Sequence, residues 1–261
     1  MLKDSLDFSG KVAIVTGGAT GIGYATALQL ASLGASVVIA SRTEDELLQS
    51  AQRIAGQTGS PCLGIRTDVK KEADCVALVA KTIDAFGRVD VLINNAGGTR
   101  MGPLEEIPSR GWHAIFELNT HSAYYMTREV GAQMITQQSG SIVNISSGAG
   151  MHGVKGGAHY SAAKAALQMF TRVTAAEWGR YGIRANCVAA GAIASERVLA
   201  AWQTAGLDPA TMGQAIPLGR TGTPTEIANM IVFLASDAAA YITGQEIGVD
   251  GGPSLGGIAL D

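Results

Sequence analysis

Val12-Ala13-Ile14-Val15-Thr16-Gly17-Gly18-Ala19-Thr20-Gly21-Ile22-Gly23 passes from an apolar run through a cluster of glycines into a segment that reads as helix, Gly21–Leu33. Backbone free of side chains lets N–H groups approach an anion, and the partial positive charge at the start of a helix favours negative charge there. The stretch therefore reads as strand, phosphate-binding turn and helix. Its spacing is Gly-x-x-x-Gly-x-Gly, not the Gly-x-Gly-x-x-Gly of the commoner dinucleotide fingerprint. Such a cluster can also be no more than a tight turn. The strand before it and the helix after it favour the anion site.

Outward from this turn, strand and helix alternate along the chain. Strands are expected at Lys11–Thr16, Ser36–Ser41, Cys62–Thr67, Val89–Asn94, Gly140–Ser146, Ile183–Ala189 and Glu246–Val249. Helical patterns fall between them at Gly21–Leu33, Glu44–Ala55, Glu72–Phe86, Ser109–Ile135, Tyr160–Arg180 and Pro224–Ala235. Gly34, Gly87 and Gly182 stand where a helix stops just before a strand. The strands are near-continuous apolar runs, as expected of a parallel sheet with helices on both faces. Nothing reads as a linker or a repeat. The expectation is one α/β domain over residues 1–261, doubly wound, with about seven parallel strands.

Composition narrows the function. The net charge of −3 recommends neither a nucleic-acid partner nor an anionic membrane surface. Cys62, Cys75 and Cys187 are too scattered for a disulfide framework or a zinc site. His113, His121, His152 and His159 show no metal-ligand spacing, so no metal is expected. The first residues, Met1 to Asp7, carry acids and do not read as a signal peptide, and no apolar run reaches the roughly 20 residues of a membrane span. A cytoplasmic protein is expected.

The chemistry lies further along. Tyr160 and Lys164 are four apart in a helical segment and so share a face. A nearby cation favours phenolate and would bring the tyrosine's acidity from about 10 toward neutrality, where it can donate and accept protons. Ser147 stands thirteen residues before Tyr160, at the end of the run Ser141–Ser146. Taken alone, Tyr-x-x-x-Lys is two helical residues and Ser147 a strand-end turn residue.

Together these stretches resemble the short-chain dehydrogenase/reductase family from Gly10 to Gly252, with features of its 3-oxoacyl-thioester reductase-like members. The resemblance rests on Thr16-Gly17 through Gly21-Ile22-Gly23, Asp68-Val69, Asn94-Asn95-Ala96-Gly97, Asn119, Ser147, Tyr160-x-x-x-Lys164, Thr243-Gly244-Gln245 and Val249-Asp250-Gly251-Gly252. It implies a Rossmann-type sheet, a nicotinamide cofactor, and hydride transfer between that cofactor and a small-molecule carbonyl or secondary alcohol. By the same resemblance Tyr160 is the general acid/base, Lys164 holds the nicotinamide ribose and acidifies Tyr160, and Ser147 hydrogen-bonds the substrate oxygen. Asn119 breaks its helix to hold a water that relays protons to Lys164. Gly17, Thr20, Gly21, Ile22 and Gly23 would cradle the pyrophosphate. Asp68 and Val69 would contact adenine, and Asn94, Asn95, Ala96 and Gly97 would line the cofactor while bracing the central strands.

Cofactor choice is read at the end of the second strand. An acid there would bind both ribose hydroxyls of NAD; this chain has Ser41 and Arg42, which suit a 2′-phosphate. NADP(H) is therefore expected ahead of NAD(H), although Thr20 stands where many NADP-preferring relatives carry a second basic residue. Relatives also show Pro-Gly-x-Ile-x-Thr after the sixth strand. Here it reads Ala190-Gly191-Ala192-Ile193-Ala194-Ser195, with Gly191, Ile193 and Ser195 still expected at the cofactor and Ala190 loosening the loop. Residues 194–214 would form a substrate lid. Met151 and His152 are candidates for the pocket wall, and His159 is expected to face away. Two other readings stay open: an enoyl- or dienoyl-thioester reductase, and a non-catalytic cofactor-binding scaffold subunit. Apolar residues on the two long helices, among them Ala123, Tyr124, Met126, Ala163, Ala166, Leu167 and Phe170, lead to the expectation of a homotetramer, with the tail from Gly251 to Asp261 packed on a neighbour.

Overall fold

The strand that precedes the glycine turn sits at the middle of the sheet. The computed structural model describes residues 4–204 and 206–252, so most of the tail, residues 253–261, lies outside the described residues. The strands are β1 (Val12–Thr16), β2 (Ser36–Ser41), β3 (Cys62–Arg66), β4 (Val91–Asn94), β5 (Gly140–Ser147), β6 (Ile183–Ala190) and β7 (Glu246–Val249). They form one sheet in the order β3-β2-β1-β4-β5-β6-β7, parallel throughout. The order reverses between β1 and β4, and ligands of open α/β sheets bind at the carboxyl ends of strands beside such a switch point.

Side chains alternate across a strand, and here they feed two cores. Ala13, Val15, Val37, Ile39, Val91, Ile93 and Val143 pack with α1 (Gly21–Ser32), α2 (Glu44–Thr58) and α10 (Pro224–Ala235). Ile14, Val38, Ala40, Leu92 and Ile142 pack with α3 (Glu72–Phe86), α5 (Ser122–Gln137) and α7 (Ala158–Trp178). Burial on both faces is why the strands read as unbroken apolar runs. The helix stops at Gly34, Gly87 and Gly182 hold, with φ of 96°, 76° and 69°. Helix α2 outruns its expected end by three residues, to Thr58, because Gly59 takes the left-handed cap at φ 74°.

Other expected elements differ too. Strand β4 begins at Val91, not Val89, because the Gln137 side chain takes both backbone groups of Val89: its Oε1 accepts from the N–H at 3.2 Å and its Nε2 donates to the C=O at 2.9 Å. The long helix expected over Ser109–Ile135 is interrupted: α4 (Ser109–Phe116) and α5 are separated by a π-helical turn, Glu117–His121, with Asn119 inside it. Ala123, Met126, Ala163 and Leu167 belong to the buried core, which leaves Tyr124, Met169 and Val173 exposed. The remaining helices are α6 (Gly148–His152), α8 (Glu196–Thr204) and α9 (Pro209–Gln214), the last two within the expected lid. Among the described residues no helix is long and apolar enough to cross a membrane.

Candidate active site

The residues singled out in the sequence gather at the carboxyl edge of the sheet. Thr20 precedes α1 without a side-chain cap, and no acidic residue lies in the first turn. The first N–H groups of a helix have no partner within it, so those of Gly21, Ile22 and Gly23 are available to an anion. The turn is closed tightly on itself: a Cβ at Gly23 would lie 2.2 Å from the Gly17 carbonyl oxygen and 2.5 Å from Asn95 Nδ2. Asn95 fixes the turn by donating from Nδ2 to the carbonyls of Thr16 (2.9 Å) and Gly17 (3.1 Å). Thr16 Oγ1 accepts in return from the N–H groups of Asn95 and Ala96, both at 3.0 Å. The bracing role expected of Asn95 is thus present. Thr16 opens the motif quoted in the sequence, but its part in this bracing was not assigned there.

Further round the edge, Ser195 on the segment after β6 comes within 3.3 Å of where a Gly21 Cβ would stand. Ile193 is buried and bridged to Gly222, and the Gly191 N–H donates to the Val249 carbonyl at 3.1 Å. Ala190 stays in the sheet, paired with Ser147 and Val249, so β6 runs one residue past its expected end. Ser41, at the end of β2, pairs with Arg66 at the end of β3. Arg42, Arg66, Asp68, Lys71 and Asp74 line a cleft of about 110 Å³. Val69 is buried beside it. Arg66 and Lys71 were missed. Their signal was position, since Arg66 ends a strand adjacent to the one Arg42 follows.

The reactive groups sit on β5, the π-helical turn and α7. Asn119 is buried, with Oδ1 accepting from the Gly98 N–H (3.1 Å) and Nδ2 donating to the carbonyls of Gly98 (2.8 Å) and Ile115 (2.9 Å). Lys164 is buried too, and its Nζ donates to the Ile145 carbonyl at 2.7 Å. Gly97 lies against both: a Cβ there would stand 2.8 Å from Asn119 Oδ1 and 3.2 Å from Lys164 Nζ. The Ser147 side chain stands beside the Tyr160 phenol, and its Oγ accepts from the Ala149 N–H at 3.2 Å.

The electrostatics differ from expectation in one respect. Burial pushes Tyr160 above its ordinary value of 10, opposed by the neighbouring Ser147 hydroxyl. Lys164 does not acidify it here: Nζ lies 5.7 Å from the ring centroid, and burial lowers the lysine itself to about 8. Tyr160 is therefore protonated at neutral pH, the form that donates a proton. Met151 and His152 are exposed. His159 is buried, and among the described residues its Nδ1 has no hydrogen-bond partner.

The uncapped α1 start, the close glycine turn and the cationic cleft fit a dinucleotide carrying a pyrophosphate. The family model described as "Enoyl-(Acyl carrier protein) reductase" matches residues 17–254. A 3-oxoacyl-(acyl-carrier-protein) reductase of Synechocystis sp. is 42% identical, covering 93% of this chain and 96% of the relative. A peroxisomal 2,4-dienoyl-CoA reductase of Danio rerio is 37% identical over 95% of this chain and 82% of the relative. The crystal structure of levodione reductase superposes with a TM-score of 0.90 at 31% identity, covering 96% of this chain and all of that one. With the seven-stranded parallel sheet and the Ser147, Tyr160 and Lys164 cluster, these likenesses establish that the chain belongs to the short-chain dehydrogenase/reductase family of NAD(P)-dependent oxidoreductases acting on carbonyl and alcohol groups.

Proposed function

We propose that this protein is an NADPH-dependent reductase of a carbonyl group, with a 3-oxoacyl thioester as the favoured substrate class. The observation that carries the reading is the placing of Ser147 beside Tyr160 at the carboxyl edge of the sheet, one helical turn from the buried Lys164. When bound, nicotinamide supplies the hydride. Tyr160 gives its phenolic proton to the substrate oxygen, so carbonyl becomes secondary alcohol, and Ser147 donates a hydrogen bond to the same oxygen as negative charge builds on it. Lys164 holds the nicotinamide ribose. Asn119, fixed by its bonds to Gly98 and Ile115, keeps the π-helical turn open beside Lys164 and serves the proton relay. The glycine turn with Thr20 and Ile22 holds the pyrophosphate, Asp68 and Val69 the adenine, and Ala96, Gly97, Gly191, Ile193 and Ser195 the nicotinamide half.

NADPH is preferred because Ser41 is joined by Arg42, Arg66 and Lys71, and among the described residues none of these cations is in an ion pair. The acyl substrate class is supported by the relatives and by exposed apolar residues close to the start of α7. Exposed Met101, Leu104 and Val154 stand on loops joined by the Gly102 N–H to Gly156 carbonyl bond, at 2.8 Å, just before α7. The dienoyl-CoA reductase relative and the name of the matching family favour a second reading, reduction of a conjugated C=C. The protein is further proposed to be cytoplasmic and homotetrameric, with Tyr124, Met169 and Val173 on the outer faces of α5 and α7 covered by a second copy. Following NADPH oxidation against 3-oxoacyl, enoyl and dienoyl thioesters and simple ketones tests the reaction. Turnover of the 3-oxoacyl thioester supports it, and turnover of the enoyl or dienoyl thioester alone replaces it with the second reading.

A further inference from the structure

Tyr160 and Lys164 are followed on α7, at the same four-residue interval, by Gln168. Residues at i, i+4 and i+8 share a face, so the third side chain points to the same strand end as the first two. It is 7% exposed, which is unusual for glutamine. Its Nε2 donates to Ser146 Oγ at 3.0 Å and to the Ser147 carbonyl at 3.4 Å. Ser146 Oγ in turn donates to the Lys164 carbonyl at 3.3 Å, and Lys164 Nζ donates to the Ile145 carbonyl. The last three residues of β5 are thus each tied to α7, and Gln168 holds the outermost two.

The opposite side of Gln168 is closed by α6. A Cβ at Gly150 would lie 2.6 Å from Gln168 Nε2 and 2.9 Å from the Ala165 backbone nitrogen. Gln168 is therefore fixed between the strand end that carries Ser147 and the short helix that follows it. Ser147 has backbone angles of −152° and 153° at this junction, where its hydroxyl accepts from the Ala149 N–H and stands beside Tyr160. Its hydroxyl direction depends on how the Ser146–Ser147 backbone is held.

We propose that Gln168 is a positioning residue that orients Ser147 toward Tyr160 and the substrate oxygen; the inference rests on the carbonyl-reductase reading above. Replacing Gln168 with methionine keeps the length and removes the donor. A misplacement of about 1 Å at a reacting group can cost about 100-fold, so kcat for acetoacetyl-CoA reduction should fall about 10- to 100-fold. The Michaelis constants for NADPH and thioester should stay within about threefold, since neither ligand is expected to touch Gln168, and the melting temperature should change little. Because Gln168 acts through Ser147, Q168M should cause no further loss of residual turnover in an S147A background. If Q168M fails to fold, S146A removes the hydroxyl that receives the donor and is judged by the same measures. A single variant with native kcat overturns the inference, as does an equal loss with and without Ser147. If S147A itself keeps native turnover, the carbonyl-reductase reading falls and takes this inference with it; if S147A is impaired while Q168M is not, only this inference falls.

Discussion

Gly97→Ala tests the convergence of the site with the smallest possible change. The added methyl would sit 2.8 Å from Asn119 Oδ1, about 0.6 Å inside an ordinary contact of 3.4 Å, and 3.2 Å from Lys164 Nζ. Neither neighbour can yield cheaply. Asn119 is held by three hydrogen bonds to Gly98 and Ile115, and Lys164 by its bond to the Ile145 carbonyl. Overpacking of this kind costs about 1–3 kcal/mol, which for a chain of this size lowers the melting temperature by roughly 2–4 °C per kcal/mol. The effect on rate should be larger than the effect on stability, because the strain falls on two groups that serve the reaction. A shift of a few tenths of an ångström at Lys164 and Asn119 should lower kcat about 10-fold, and the NADPH dissociation constant should rise as the ribose site moves. Thermal unfolding, NADPH fluorescence titration and steady-state turnover of acetoacetyl-CoA read the three quantities. Native turnover with an unchanged melting temperature would refute the packing argument.

Three further outcomes follow from named groups. Arg42→Ala should raise the Michaelis constant for NADPH about 10-fold or more and leave NADH nearly unaffected, with a smaller effect for Arg66→Ala, because loss of an exposed charge-assisted bond sits at the low end of about 1.5–3 kcal/mol; a wild-type preference for NADH would contradict it. Carbonyl reduction should be level from about pH 6 upward and decline as pH rises through about 8, because burial keeps Tyr160 protonated while Lys164, lowered to about 8, is charged below that value and neutral above it; a limb near pH 6.5 would instead implicate a histidine. Light scattering across a dilution series should give a mass several times the 26.8 kDa of one chain, and a persistent monomer at micromolar protein would remove the proposed tetramer.

The parts of this protein that could be read from sequence are those whose cause lies along the chain. Strands buried on both faces leave unbroken apolar runs, and Gly34, Gly87 and Gly182 mark helix ends because they take positive φ. Asn119 was singled out through the family resemblance, as a local break in its helix, and it lies in the π-helical turn. The parts that escaped depend on what meets across the chain. Gln137 replaces a strand partner for Val89 from 48 positions away. Arg66 and Lys71 join Arg42 only because β3 lies next to β2. The acidity of Tyr160 was misjudged because spacing brings Lys164 to the same face but does not say where its ammonium bonds; here it bonds to Ile145.

Tyr160→Phe tests the central claim most directly, since it deletes one hydroxyl from a 21-residue helix and leaves the glycine turn and cationic cleft untouched. General acid–base catalysis supplies about 10²- to 10⁴-fold, so NADPH-dependent reduction of acetoacetyl-CoA should fall by at least about 100-fold while the NADPH dissociation constant stays near native. Near-native turnover of the Tyr160→Phe protein, with ordinary NADPH affinity, would contradict the assignment of Tyr160 as the proton donor.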